Sequence, residues 1–179
     1  MAFTAVLTTQ AAQPFPAYNV DWAVGRIGAN AREDVMLVQA LLRIFYYELM
    51  GFTDEGFEPP PNSTDVIKVD GRIGPVTQAH IVHFQSQIAA KGSPTTQDGI
   101  FDPFRGPGQL STITHSRYSL DALNSGCNHF CNKQGIDNYR NLPNRADIPG
   151  SLRAALRTHK STAAQYTHVP QTVPTTGGA

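Results

Sequence analysis

The chain has 179 residues, and 40% of them are hydrophobic, which is enough to build the core of one domain. Its 14 Lys and Arg residues balance its 14 Asp and Glu residues, so the net charge is zero. This balance excludes the general attraction to nucleic acid or anionic lipid that a basic protein has. No apolar run approaches the roughly 20 residues of a membrane-spanning helix. We therefore expect neither nucleic-acid binding nor membrane insertion.

The first 20 residues are rich in Ala, Thr, Gln and Pro, and this composition predicts a flexible arm over residues 1–20. The arm contains no Lys or Arg, and its apolar run is short and interrupted by Thr, so it is a poor match to a secretory signal. We expect synthesis in the cytoplasm. Delivery to the cell envelope or to the outside would then need a secretion or phage-like apparatus.

The first helix is predicted over Glu33–Met50, because apolar residues recur there at intervals of three and four and form one stripe. Asn30 is the expected N-cap and Glu33 the reciprocal residue of a capping box. Gly51 is expected to end the helix in the left-handed conformation. Three consecutive prolines make residues 59–64 a loop that cannot be helical.

The second helix is predicted over Pro75–Lys91, since proline suits the first helical turn and Gly92 can end the helix. Its expected buried positions are Thr77, Ile81, Phe84 and Ile88. Two further helices are predicted over Ser119–Cys131 and Pro149–Thr158. Strand signals are scarce, so the expected fold is mainly α. The expected division is an arm (1–20), a helical domain (21–109), a helical extension packed on it (110–158) and a disordered tail (159–179).

A short turn motif occurs more than once. Gly25-Arg26-Ile27-Gly28 recurs as Gly71-Arg72-Ile73-Gly74, and a Gln follows at the same distance in both copies, as Gln39 and Gln85. A partial third copy, Asp98–Pro103, repeats the pattern of Asp70–Pro75. Asp-Gly favours a tight turn because glycine accepts a positive φ without steric cost. Two turn-helix units packed face to face would leave a groove between them.

These motifs resemble the peptidoglycan-binding domain family of bacterial cell-wall proteins. The resemblance rests on EDVMLVQALL at Glu33–Leu42 and on VDGRIGPVTQAHIVHFQ at Val69–Gln85, followed by the second Asp-Gly turn. It covers roughly residues 24–104, and the opening VGRIGAN is similar to the variant found as short stand-alone proteins. The resemblance implies a small three-helix bundle, here with an irregular and partly helical C-terminal extension. It also implies a module that binds the glycan or the stem peptide of peptidoglycan.

The candidate ligand-binding residues lie in or next to these motifs. Arg26 and Arg72 could pair with carboxylates of a wall peptide, although a solvated turn residue is an equal alternative. Tyr46 could stack on a sugar face or belong to the core. His80 occupies a position where the family usually has alanine. The full set of expected contacts is Arg26, Tyr46, Asp70, Arg72, Thr77 and His80.

No motif for catalysis is complete. The possible metal ligands are a His pair, a Cys-His-Cys group with one ligand too few for zinc, and a His-Asp pair faintly similar to that of D-alanyl-D-alanine peptidases. The His pair is His80 and His83. The Cys-His-Cys group is Cys127, His129 and Cys131, and the His-Asp pair is His115 and Asp121. No Glu follows Asp121, so a zinc peptidase would lack its base. We expect no catalytic residue, metal or cofactor, and two free thiols.

The preferred interpretation is therefore a non-catalytic module that recognises peptidoglycan. One alternative is a structural or adaptor protein of a secretion or contractile injection (phage-tail-like) apparatus, using the same module to contact protein. A zinc-dependent wall peptidase is the weaker alternative.

Overall fold

The computed structural model describes residues 1–6, 16–49, 56–61, 66–104, 110–111 and 114–160. These residues form a mixed fold of four α-helices and two small β-sheets. The expectation of a mainly helical chain is therefore correct only in part. A single hydrophobic core extends from Ala2 to Leu156. No helix in these ranges is long and apolar enough to cross a membrane.

Helix α1, Arg32–Arg43, lies at the centre of the fold. Every residue from Asp34 to Leu42 is buried, because α1 packs against strands and against three other helices. The buried surface of α1 is therefore wider than the single apolar stripe that the sequence predicted. The α-helix also ends earlier than predicted and continues as a π-helical turn over Ile44–Glu48, in which the N–H of Leu49 donates to the carbonyl of Ile44.

The predicted arm contains two strands of the larger sheet. Strand β1, Phe3–Val6, pairs antiparallel with β2, Pro16–Asn19. Strand β5, His159–Lys160, pairs parallel with β1, so the sheet order is β2-β1-β5. Ala5 and Tyr18 are buried in the core. The prediction of a flexible arm was thus wrong for these residues: β1 and β2 pair with each other, and β5, more than a hundred residues away in the chain, completes the sheet.

The three later helices lie close to their predicted positions. They are α2, Pro75–Ala90, α3, Ser119–Gln134, and α4, Gly150–Leu156. The expected buried positions of α2 are all buried. Gly92 ends α2 as predicted: its N–H donates to Ala89, and the N–H of Ser93 donates to Ile88. A 3-10 turn at Leu142–Asn144 precedes α4.

The predicted cap of α1 is wrong. Ala31 is the N-cap residue and makes no side-chain cap bond. Asn30 instead has a φ of 52°, and its amide joins Gly25 and Gly28 within the preceding turn. Asn side chains often bond to nearby backbone groups. Here the bonds within the turn replace the predicted bond to the start of α1. The predicted stop at Gly51, part of the proline loop and residues 161–179 of the predicted tail lie outside the described residues.

Candidate functional site: two glutamine-clamped turns

Gln39 of α1 holds the second glycine turn by its side-chain amide. Its Oε1 accepts hydrogen bonds from the N–H groups of Asp70 and Gly71, at 3.1 and 2.9 Å. Its Nε2 lies 3.0 Å from Asp70 Oδ1, 3.0 Å from the carbonyl of Arg72 and 3.1 Å from Thr77 Oγ1. Asp70 Oδ1 also accepts from the N–H of Arg72, which holds the pKa of Asp70 below its usual value. One buried amide thereby fixes the turn against the start of α2.

Gln85 of α2 holds the third turn in the same way. Its Oε1 accepts from the N–H of Gly99 at 2.7 Å. Its Nε2 lies 3.2 Å from Asp98 Oδ1, 2.8 Å from the carbonyl of Ile100 and 3.2 Å from Ser119 Oγ. The second and third turns match at a separation of 28 residues, Asp70 with Asp98. They are therefore two copies of one clamp, although the second turn leads into α2 and the third leads into a strand, Ile100–Phe101.

Both clamps need glycine at the same position. Gly71 and Gly99 each have a φ of 75°, a conformation that residues with a side chain rarely adopt. A Cβ on Gly71 would lie 2.6 Å from Cγ of Arg32, and one on Gly99 would lie 2.8 Å from Nε2 of Gln78. The repeated glycine is thus required by backbone shape at both positions, and at Gly71 also by the close approach of α1.

The first turn does not join this pair. Gly25 belongs to β3, Val24–Gly25, which pairs antiparallel with β4, Ile100–Phe101. The N–H of Arg26 donates to the carbonyl of Gly99. The first turn therefore lies beside the third, and the expected equivalence of the first and second turns does not hold in space. Arg26 does not line the cavity at which Arg72 lies.

A cavity of about 240 Å³ lies beside the first clamp. Asp70, Arg72 and Thr77 line it, so the structure brings together three of the predicted contacts. Lys68 also lines this cavity and was missed. The available signal was the alternation in Ile67-Lys68-Val69, which buries Ile67 and exposes Lys68. In the parts of the chain described, neither Lys68 nor Arg72 has an ion-pair partner.

The second clamp borders a smaller cavity of about 140 Å³ with different chemistry. At the positions of Lys68 and Arg72 it has Thr96 and Ile100, and most of its remaining lining is hydroxyl or carboxylate groups. The clamp is therefore common to both sites and serves the fold, whereas the pair of cations is specific to the first.

Two predicted contacts lie in the interior instead of at a surface. The Tyr46 ring is buried and its hydroxyl donates to Gln87 Oε1 at 2.7 Å. His80 is fully buried, with Nδ1 2.7 Å from the carbonyl of Val76 and Nε2 2.7 Å from the hydroxyl of Tyr47. Because a carbonyl only accepts, Nδ1 carries the proton and Nε2 accepts from Tyr47. Neither residue presents a polar group to an external ligand in this arrangement.

Burial lowers the pKa of His80, and the charge of His83 acts in the same direction. The unfolded chain therefore binds the proton more readily than the folded chain, and stability is lost as the pH falls through the ordinary histidine pKa of about 6.5. We expect the free energy of unfolding to rise between about pH 5.5 and pH 7.5, and His80→Gln to flatten that rise.

Urea denaturation at several pH values measures this slope. His115→Asn is a suitable control because His115 is exposed and has a φ of 52°, which Asn tolerates. An unchanged slope in His80→Gln, or an equal flattening in His115→Asn, would contradict the assignment.

Several residues that the sequence analysis considered as possible metal ligands are buried or bonded to other groups. Cys127 and Cys131 are free, buried thiols on α3, as predicted, and burial raises the pKa of both. Asp121 pairs with Arg117 at 2.7 Å, and His83 bonds the carbonyl of Glu58. Among the residues that the structure describes, no group of three or more His, Cys, Asp or Glu side chains could hold a metal ion.

Comparisons of the chain with protein-family models, with curated proteins and with solved structures found no match.

Proposed function

We propose that this protein binds bacterial peptidoglycan without chemical conversion, and that the cavity beside the first clamp takes a carboxylate of the stem peptide. The observation that carries this proposal is that two cations, Lys68 and Arg72, line one cavity with a single carboxylate, Asp70, whose Oδ1 is held by Gln39 and by the backbone. Two cations at one small cavity favour an anion.

The start of α2 adds to this attraction. The first N–H groups of a helix have no partner within it, and the helix dipole places partial positive charge there. Val76 and Thr77, at the beginning of α2, line the same cavity as the two cations. A carboxylate could therefore meet an ammonium, a guanidinium and backbone N–H groups at once, and charge-assisted bonds of this kind are among the stronger ones.

The remaining lining suits a small apolar group. Val66 and Val76 line the cavity and are 53% and 39% exposed. A stem peptide of the bacterial wall offers methyl side chains next to free carboxylates, which matches this combination. The resemblance of the clamped turns to the peptidoglycan-binding domain family supports the same ligand. Contacts this shallow correspond to a Kd roughly in the millimolar to micromolar range.

Retention on purified cell-wall sacculi tests this proposal. We expect the wild-type protein to be retained at low salt and released as salt is raised, because exposed charges are screened. Neutralising both cations, as Lys68→Gln with Arg72→Gln, should weaken binding by about tenfold or more. Both side chains lie at the surface, so the thermal stability should change little.

Arg26→Gln is the matched control, because Arg26 occurs in the same sequence motif but not at this cavity. It should leave retention unchanged. Absence of wild-type retention at low salt would refute peptidoglycan binding. Equal losses in Arg26→Gln and in the double variant would refute the placement of the site.

A second candidate is an adaptor role in a secretion or contractile injection apparatus. Trp22 and Ile27 are 61% and 83% exposed and lie on either side of β3, ahead of α1 in the chain. Exposed aromatic side chains are frequent anchors of protein interfaces. Co-purification with a large protein assembly, without retention on sacculi, would favour this candidate over the first.

A further inference from the structure

A third, chemically different cavity of about 280 Å³ lies between the C-terminal half of α2 and α3. Its apolar wall is a cluster of phenylalanines in edge-to-face contact, with centroids of Phe45 and Phe84 5.2 Å apart and those of Phe45 and Phe57 5.0 Å apart. Phe130 completes the cluster, 6.0 Å from Phe45. The cavity is therefore bounded by aromatic rings that already belong to the core.

The outer wall is formed by the loop that carries Phe57. This loop is fixed to α2 because the side chains of His83 and Gln87 both donate to the carbonyl of Glu58, each at 2.9 Å. On the opposite side, Gly126 of α3 approaches Phe45 so closely that a Cβ would lie 2.8 Å from Cε2 of the ring. The helical glycine thus allows the ring to lie against the helix.

The charged groups in the lining are all basic. Lys91 and Arg117 line the cavity together with His129, and no Asp or Glu belongs to the lining. The ammonium of Lys91 lies 4.7 Å from the centroid of the Phe57 ring. Arg117 is positioned by Asp121 Oδ2 and Ser125 Oγ, both at 2.7 Å, and its side chain stays about one third exposed. An apolar interior with a cationic rim is complementary to an amphiphilic anion.

We propose that this cavity binds a small amphiphilic carboxylate. Its apolar body, a single ring or a short chain, would pack on the phenylalanines. Its carboxylate would meet Lys91 and Arg117 at the rim. A volume of about 280 Å³ is at the lower end for small-molecule sites, so it fits a body of this size and not a long lipid chain.

The site is independent of the wall-binding proposal. None of its lining residues lines the cavity of Lys68 and Arg72, so either proposal can fail while the other stands.

Protein-detected NMR titration with three isosteric probes tests this inference: 3-phenylpropionate, 3-phenylpropan-1-ol and 3-phenylpropylamine. We expect saturable shifts at the amides of Ala122, Gly126 and Ser93 with the carboxylate, at a Kd roughly in the millimolar range or below. The amine should bind at least about tenfold more weakly, because it brings a like charge to the rim. Equal binding of all three probes, or carboxylate shifts away from this cavity, would overturn the proposal.

Two variants test the contacts of the ligand's apolar body and of its carboxylate separately. Ala122→Leu places a larger side chain in the cavity, which leaves less space for a ligand and should abolish binding of all probes. Lys91→Gln should weaken the carboxylate selectively and leave the alcohol unchanged. The remote pair Lys68→Gln and Arg72→Gln should change nothing. If Ala122→Leu does not fold, Lys91→Gln decides: carboxylate affinity unchanged in a folded Lys91→Gln protein would overturn the assigned rim.

Discussion

Replacing Gln85 by Glu should destabilise the protein by about 3 to 5 kcal/mol at neutral pH, although the two side chains have nearly the same shape. Gln85 Nε2 faces the carbonyl of Ile100 and the carboxylate of Asp98. An introduced carboxylate would turn two donated bonds into contacts between acceptors, next to a like charge. Because the position is fully buried, water cannot compensate.

The pH dependence of Gln85→Glu gives a sharper test than its magnitude. Burial and Asp98 would raise the pKa of the introduced carboxyl in the folded protein, so the penalty is present above the ordinary glutamate pKa of about 4.3 and fades below it. Thermal denaturation should show a melting temperature lowered by about 10 °C at pH 7, with a smaller difference near pH 4.

Gln97→Glu is the control for this experiment. Gln97 is exposed, and its Oε1 only accepts a bond from Ser86, which a carboxylate can also accept. We expect a change within about 0.5 kcal/mol. If Gln85→Glu were as mild as Gln97→Glu, the clamp would not be a determinant of the fold.

Replacing Asn124 by Leu should also cost about 3 to 5 kcal/mol. Asn124 joins α3 to the edge strand β2: Oδ1 accepts from the N–H of Tyr18 at 2.8 Å, and Nδ2 donates to the carbonyl of Tyr18 at 3.0 Å. Nδ2 also donates to Leu120, and Oδ1 lies 2.7 Å from the hydroxyl of Tyr139. Leucine would fill the space but leave buried backbone groups of Tyr18 without partners.

Denaturant unfolding measures this loss, and amide hydrogen exchange at Tyr18 localises it to β2. Asn128→Leu, one helical turn later on α3, is the matched control, because Asn128 makes one long bond to Arg140 at 3.4 Å near the surface. Comparable effects of the two substitutions would show that the loss reflects leucine on α3 in general and not the bond to β2.

The helices were predictable because their signals are local. Proline at the start of α2 and Gly92 at its end act within one turn of the chain, and the structure places both boundaries within a residue of the prediction. The early end of the α-helical part of α1 was not predictable in this way. The apolar pattern continues through Leu49 and gives no sign of the π-helical turn at Ile44–Glu48.

The strands at the N-terminus escaped prediction for the opposite reason. Phe3–Val6 and Pro16–Asn19 are short and carry no alternation strong enough to identify them. They pair with each other, and contacts from the far end of the chain hold them in place: Thr4 Oγ1 donates to the carbonyl of Leu156, and β5 pairs with β1. Pairing across more than a hundred residues leaves little trace in the local sequence.

The candidate site, too, was predictable only in its local features. The repeated Asp-Gly turns and the glutamines are visible in the sequence, and the resemblance they support stays a prediction. The pairing of each glutamine with its turn depends on how the chain folds back on itself. Gln39 bonds to a turn 31 residues later, whereas Gln85 bonds to one 13 residues later. No fixed spacing encodes that choice.

The sequence by itself determined the helices, the glycine turns with positive φ and the absence of net charge, because each depends on local backbone preference or on composition. Only the tertiary structure decided that the second and third turns form the equivalent pair, that His80 and Tyr46 lie in the interior, and that Lys68 joins Arg72 at one cavity. Burial and proximity between distant segments arise when the whole core packs, and a side chain acquires its partners only then.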